Sequence, residues 1–554
     1  MRWNLPDSLT EIVVVLTLIL LVAVPAQAQD GSFGEVIDVR VVNLEVVVTQ
    51  KGERITGLGP EDFVLTVDGR EVPIEYFTEV HGGTAVLHGE EAAGSAVPAL
   101  APGVEVGTSY LVFIDEFFAI PTDRNRILRR MIDQLAFLSP KDRMAVVAFD
   151  GTKVDMLSTW SQSPRELERV LQKAIDRPAF GLARRAEQRL FESTRDLRAG
   201  AIVNEPLGET TVVTGDLEID ERVRADELVG QVKRAVLAAS SALRSFANPP
   251  GRKVMLLLSG GWPYNPAQWV IRQPDRFFYT SNFDDGDKIY RQLAETANRL
   301  SYTLYPIDVP GLDVNSVNSA EFSNNDAAFN RLVVEERERE EETTLHALAR
   351  ETGGRAMIDG ASTTAFQRVF EDTRSYYWLG FTPDWQGDDE SHKIRIKTRR
   401  KGFDVRSRKG FADLSRETEV TMMVESALLF GDPPGLAPLG AYVGKGERAG
   451  RGKVMIPLKV VIPIAGLTFL PIQEGFQAET ELRIAVLDED GNTSDIPVIP
   501  LAFRTADEPE GDKVTVYETA MKIRKKKHDL VVSVYDKPSG RILSTKVEVD
   551  PTSR

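Results

Sequence analysis

The 554-residue chain contains no cysteine. Disulfide frameworks, thiolate metal sites, cysteine nucleophiles and a lipid-modified N-terminal cysteine are thereby excluded together. Histidine is scarce. His81, His88, His346, His392 and His528 are the whole set, with no H-x-x-x-H pair and no H-E-x-x-H, so a helical zinc-hydrolase motif is absent. There is no G-x-S-x-G nucleophile elbow. The Gly-rich basic segment Gly444 to Lys453 lacks phosphate-loop spacing and reads as a flexible basic loop. Positive charge is not in excess either. The net charge is -16, which argues against a general nucleic-acid role, because phosphate binding needs clustered Lys and Arg. The local basic run Arg524 to Lys527 reads as a charged edge strand. Beyond the N-terminus no segment reaches ~18 uninterrupted apolar residues, the length a membrane-spanning helix requires.

What is present begins with an export signal. Arg2 precedes the apolar run Ile12 to Val24, and Ala26-Gln27-Ala28 supplies small residues for cleavage. Residues 1–28 therefore read as a secretory signal peptide, despite the unusual acidic Asp7 and Glu11. The expected location is periplasmic or extracellular. Membrane contact is expected only through this segment if it stays uncleaved. With 42% hydrophobic and 27% charged residues the chain has material for a sizeable core.

The patterning changes along the chain. Residues 29–81 hold β-branched runs such as Val46-Val47-Val48 and the alternating Phe63 to Val67, with turns at Lys51-Gly52 and Asp68-Gly69. Residues 82–106 are rich in Gly, Ala and Pro and read as a linker. Residues 107–373 alternate buried strands with helices: Ser109 to Asp115, Met144 to Phe149, Val254 to Leu258 and Tyr302 to Asp308 are the near-continuous apolar runs. That rhythm predicts a parallel sheet covered on both faces, an α/β doubly wound, Rossmann-like domain. Charged insertions at 176–222 and 310–342 interrupt it, and the run Glu335 to Glu342 reads as a solvated helix with i,i+4 pairs. Residues 374–413 return to strands, with Lys393, Arg395, Lys397 and Arg399 forming one basic face opposite Ile394 and Ile396. They are expected to pack with the N-terminal β segment, making a β-sandwich into which the α/β domain is inserted. Residues 420–554 are β-patterned and predict a C-terminal β-sandwich domain.

Several short segments appear in a recognisable order. They are Thr56-Gly57-Leu58 with Glu61-Asp62-Phe63 and Asp68-Gly69, Tyr110 to Asp115, Thr352-Gly353-Gly354, Ser375 to Pro383, and Val405 to Phe411. In this order they resemble the bacterial VWFA-related family of exported proteins over roughly residues 36–413. The resemblance implies a von Willebrand factor A-type domain flanked by β segments, with no established reaction. It also implies a metal-ion-dependent adhesion site, in which Asp, two Ser, a Thr and a second Asp hold Mg²⁺ at the carboxyl ends of the strands.

The chain departs from that ligand set. Asp115 matches the first Asp and is followed by Glu116, but Phe117 and Ala119 stand where the two Ser should be. Ser259-Gly260-Gly261 stands where Thr-Asp-Gly is expected, so Gly260 replaces the second Asp. Thr210, Thr211 or Thr214 remain as sources of the Thr. Too few oxygen donors are left for an octahedral ion, so the site is expected to be degenerate, with no cofactor and at most weak Mg²⁺ or Mn²⁺ binding. Asp115 then reads as an inherited carboxylate near helix N-termini. The functional expectation is a non-catalytic module that binds an unidentified protein partner. The alternatives are a structural component of an envelope assembly and a metal-dependent adhesin.

Overall fold

The computed structural model describes residues 41–86, 97–98, 100–203, 211–246, 249, 251–270, 283–309, 327–358, 364–430, 437–450, 452–489, 496–507 and 513–551. The signal segment at 1–28, His88 and Thr210 lie outside these residues. Among the described residues no helix is long and apolar enough to cross a membrane.

The strand Thr108–Asp115 is buried along its whole length. It can be, because alternate side chains enter two separate cores. Leu111 and Phe113 point to one, Tyr110, Val112 and Ile114 to the other. Arg143–Phe149 and Arg252–Ser259 divide their residues in the same way. Both pair with Thr108–Asp115 in parallel, on its two sides. Tyr302–Asp308 extends the sheet in parallel, and Val154–Ser161 closes the other edge antiparallel. The spatial order is Val154–Ser161, Arg143–Phe149, Thr108–Asp115, Arg252–Ser259, Tyr302–Asp308. The first strand in sequence is thus central, and strand order reverses beside it. Helices Pro121–Gln134, Pro164–Ile175 and Ala365–Thr373 cover one face, through Ile127, Leu171 and Phe366 among others. Helices Thr211–Ser245 and Gly286–Arg299 cover the other, through Val232, Ala239 and Leu293 among others.

A second core lies between strands drawn from both sides of this unit. Val42–Gln50 pairs with Tyr376–Phe381, Val46 opposite Tyr377, and Tyr376–Phe381 pairs in turn with Tyr76–His81. In a facing sheet Phe63–Val67 pairs with Glu390–Thr398, Leu65 opposite Ile396. Leu44, Val46, Phe63, Leu65, Phe77, Tyr377, Leu379, Ile394 and Ile396 fill the space between them. Lys393, Arg395, Lys397 and Arg399 are all exposed, as the pleat requires once Ile394 and Ile396 point inward.

In the C-terminal part, Gly475–Asp488, His528–Asp536 and Ile542–Val549 form one sheet, and Lys453–Pro463 pairs with Val514–Arg524 in another. Leu458, Val460 and Ile462 pack against Leu482, Ile484, Val532 and Val534 between them.

Three sequence expectations need correction, and one stretch left unassigned from the sequence, 176–222, takes a definite form. Residues Arg416–Phe430 form a helix, not the start of the β-patterned region. Val420, Val424, Ala427 and Leu428 recur at helical spacing and insert into the core beside Thr211–Ser245, and the Ser415 hydroxyl accepts the Thr418 N–H. The 82–106 segment carries strand pairings: Thr84–Val86 and Val97–Pro98 both add to Tyr76–His81. The 176–222 stretch is largely helical, with Gly181–Val203 and the start of Thr211–Ser245. The run Glu335 to Glu342 lies in the helix Ala327–Thr352, yet it is not a solvated face throughout. Arg337 is buried over the Trp269 ring and pairs with Glu192, while Glu340 accepts from the Asn265 amide.

Candidate functional site

The carboxyl end of Thr108–Asp115 brings the expected site residues together. Asp115 closes that strand, and Glu116, Phe117 and Ala119 follow in the turn before helix Pro121–Gln134. Ser259 ends the neighbouring strand and Gly260 follows it; Leu258 of that strand is in register with Ile114. Thr211 and Thr214 lie on the helix Thr211–Ser245; their side chains lie outside the described residues.

Asp115 is wholly buried, and every hydrogen bond to it comes from a donor. Its Oδ1 accepts the backbone N–H of Phe117 at 3.0 Å and of Phe118 at 3.2 Å. Its Oδ2 accepts the Trp262 indole N–H at 2.7 Å. Burial pushes the carboxyl up to about 7, although the Trp262 indole and the two amides pull the other way. Trp262 reaches this position because Gly261, at φ 88°, turns the chain directly after the strand. The indole is stacked on Tyr290, whose hydroxyl donates to the Pro263 carbonyl.

Glu116 is equally inaccessible. Its carboxylate accepts from Arg177 Nε at 2.8 Å and from Arg177 at 3.0 Å through a second nitrogen, and Arg124 lies 3.4 Å away. Burial raises this carboxyl above its ordinary value, and the Arg177 guanidinium opposes that. Arg177 also binds Asp155 at 2.7 Å. Arg124 donates to the carbonyls of Ile175, Arg177 and Pro178, so the turn is tied to the segment after helix Pro164–Ile175. The same segment donates back, Phe180 N–H to the Glu116 carbonyl and Gly181 N–H to the Ala119 carbonyl. Phe117 lies half-buried under the Arg184 guanidinium and against Gly151, where any Cβ would clash with its ring. Ala119 is buried. Among the described residues the buried Ser259 hydroxyl has no hydrogen-bond partner.

Chemically, this crevice is closed by protein. An indole N–H and two amides bond Asp115, and two guanidiniums face Glu116. Phe117 and Ala119 offer no side-chain oxygen. Sequence reasoning identified the carboxylates but not Trp262, Arg124 or Arg177. The only signal for Trp262 was a bulky donor directly after the Gly260-Gly261 pair. Arg177 lies 61 positions from Glu116, beyond the reach of any local pattern.

Elsewhere among the described residues, one group of side chains could hold a metal: Asp388, His392 and Asp413. A cavity of about 430 Å³ lies beside it, between helices Gly286–Arg299 and Ala327–Thr352 and the strands Glu390–Thr398 and Gly410–Asp413.

No protein-family model and no curated protein matches the chain. Solved structures give weak likenesses. A Bacteroides uniformis β-glucuronidase is 6% identical, with 20% of this chain and 13% of that one covered, at a TM-score of 0.16. A putative β-galactosidase from Bacteroides fragilis is 15% identical, over 20% and 16%, at 0.15. The structural-genomics target SoR45 is 10% identical, over 21% and 90%, at 0.15. The chain therefore spans under a fifth of the two glycosidases it matches, and at these TM-scores the likenesses bear on neither fold nor activity.

Proposed function

We propose that the chain is an exported, non-catalytic scaffold whose α/β unit is a von Willebrand factor A-type domain, and that this domain binds a protein partner without a metal ion. The observation that carries the reading is the Trp262–Asp115 hydrogen bond of 2.7 Å at the carboxyl end of the central strand. A carboxylate at that point of a doubly wound sheet sits where α/β folds gather their ligand-binding loops. Here it is occupied by a fixed donor, so a bridging cation has no open face to occupy. Support for the A-type assignment comes from the strand order, with the first strand central and an antiparallel edge. The rigid turn 116–119, held by Arg124 and Arg177, then serves as a preformed rim. A periplasmic or extracellular setting rests on the N-terminal apolar run and its Ala26-Gln27-Ala28 site.

The test is crosslinking and capture from the native envelope with the full chain as bait. The partner should be recovered equally in EDTA and in Mg²⁺. Arg177→Ala, which frees the turn, should weaken capture. Recovery that requires Mg²⁺ would instead identify a metal-dependent adhesin, and recovery of nothing specific would remove the binding reading.

A further inference from the structure

We infer that His392, Asp388 and Asp413 form a binding site for a divalent transition-metal ion, of which Zn²⁺ is the best fit. One nitrogen of His392 and one carboxylate oxygen from each aspartate lie within 4.8 Å of one another. The fold makes this meeting. Antiparallel pairing of Glu390–Thr398 with Gly410–Asp413 puts His392 opposite Phe411 and Glu390 opposite Asp413. Asp388 sits just before the first of these strands, and its Oδ1 accepts the Glu390 amide.

Two observations separate this group from an ordinary acidic cluster. The first is the state of the imidazole. His392 Nδ1 lies 2.7 Å from Asp68 Oδ2. A carboxylate only accepts, so Nδ1 donates to it, which in the neutral ring leaves Nε2 as the nitrogen that can hold a metal. A metal-binding histidine is typically oriented by just such an outer carboxylate. The ring is further fixed by stacking on Phe411, 4.9 Å between centroids and 23° between planes. The second is Asp413. Its side chain is almost wholly buried, its Oδ2 accepts the Gln386 amide at 2.6 Å, and no Lys or Arg among the described residues pairs with it. A buried carboxylate without a counter-charge is costly unless a cation completes it.

The donor set decides the class of ion. An imidazole with two carboxylates suits Zn²⁺ better than Ca²⁺ or Mg²⁺, which prefer all-oxygen shells. Ligand atoms around tetrahedral zinc lie roughly 3.3 Å apart, given bonds of about 2.0–2.2 Å. The exposed Asp388 can rotate to close the remaining distance. Three protein ligands leave the fourth position open, and His392 also lines the neighbouring cavity, beside Arg291, Lys393 and Lys409. The site would in addition brace the molecule. Asp389, next to Asp388, accepts from Ser415 and Thr418 at the start of helix Arg416–Phe430.

The experiment is a calorimetric titration of EDTA-stripped full-length protein with ZnCl₂, with MgCl₂ as control. One equivalent of Zn²⁺ should bind saturably and raise the melting temperature, and Mg²⁺ should do neither. His392→Ala and Asp388→Ala should abolish the saturable binding, and Asp68→Ala should weaken it by about 10–100-fold through loss of the orienting bond. Asp388 is exposed, so its variant keeps the test independent of folding, which far-UV circular dichroism and an EDTA melt verify for all three. No saturable Zn²⁺ binding by the wild type, or equal binding by Asp388→Ala and His392→Ala, would overturn the site. Equal affinity for Mg²⁺ would overturn its assignment to a transition metal.

Discussion

Burial sets the chemistry of Asp115. Because burial raises its folded pKa to about 7, against about 4 for an unfolded aspartate, the folded chain holds a proton that the unfolded chain releases. Its contribution to stability is fully present below about pH 4 and is lost as pH rises through 7. The stability difference between wild type and Asp115→Asn, taken from urea unfolding, should therefore fall by about 2–3 kcal/mol between pH 5 and pH 8. A pH-independent difference would mean that the carboxylate stays charged throughout. Asp115→Ala should be more damaging. It strands the Trp262 indole N–H and two amides in a sealed space, and buried unsatisfied donors cost about 1–3 kcal/mol each. Because Phe117, Ala119 and Gly260 supply no side-chain oxygen to complete a shell, Mg²⁺ should leave the melting temperature of the wild type unchanged. A Mg²⁺-dependent rise that Asp115→Asn removes would contradict the closed crevice.

At the scale of elements, the α/β unit and the β strands around it are held together by buried charge. Asp372, near the end of helix Ala365–Thr373, pairs with Arg54 at 2.6 Å and Arg406 at 2.5 Å, and accepts the Tyr305 hydroxyl at 2.6 Å. Arg252 reaches Glu45 at 2.8 Å, and Arg408 donates to the carbonyls of Asn43 and Asn298. Burial opposes ionisation of Asp372, but the Arg406 and Arg54 guanidiniums and Tyr305 overcome it and hold its carboxyl down to about 2. That contribution is complete above about pH 4 and disappears as pH falls through 2. Asp372→Ala leaves two guanidiniums without their partner and should cost about 3–5 kcal/mol at neutral pH, read from a denaturant midpoint. None of this network was legible in the sequence, since Arg54 and Asp372 lie 318 positions apart. The buried strands were legible, because runs such as Val254 to Leu258 need two covered faces. Helix Arg416–Phe430 was legible in principle. Its Val420, Val424, Ala427 and Leu428 spacing and the Ser415 cap are local signals, but a following stretch of β patterning drew the reading across it. For the candidate site, Asp115 could be read from its place after an apolar strand. Of its donors, the Phe117 and Phe118 amides are local, but the Trp262 indole comes from 147 positions away, and neither composition nor spacing marks it.

For the whole molecule, the order of the chain makes the β strands depend on residues far downstream. Tyr376–Phe381 lies between Val42–Gln50 and Tyr76–His81, bonded to both. Glu390–Thr398 supplies the partner of Phe63–Val67. A chain that keeps residues 41–104 but ends at 373 therefore loses the middle strand of one sheet and a neighbour in the facing sheet. Leu44, Val46, Phe63, Leu65 and Phe77 lose the apolar side chains that cover them, and each such residue contributes about 1.5–3 kcal/mol by burial. The unpaired edges they sit on are templates for association with other chains. The same truncation removes Arg416–Phe430 and uncovers the apolar side of Thr211–Ser245, where Val420, Val424 and Leu428 pack. A chain that ends at 414 restores the β pairings but leaves that helix face open. The expected result is graded. The chain ending at 373 should elute as aggregate and bind a hydrophobic dye strongly. The chain ending at 414 should keep its strands but unfold at lower denaturant than the full chain. Size-exclusion chromatography and urea unfolding of the three chains side by side make the comparison. A monomeric chain ending at 373 with full cooperative stability would show that the β strands at 42–81 do not need their distant partners.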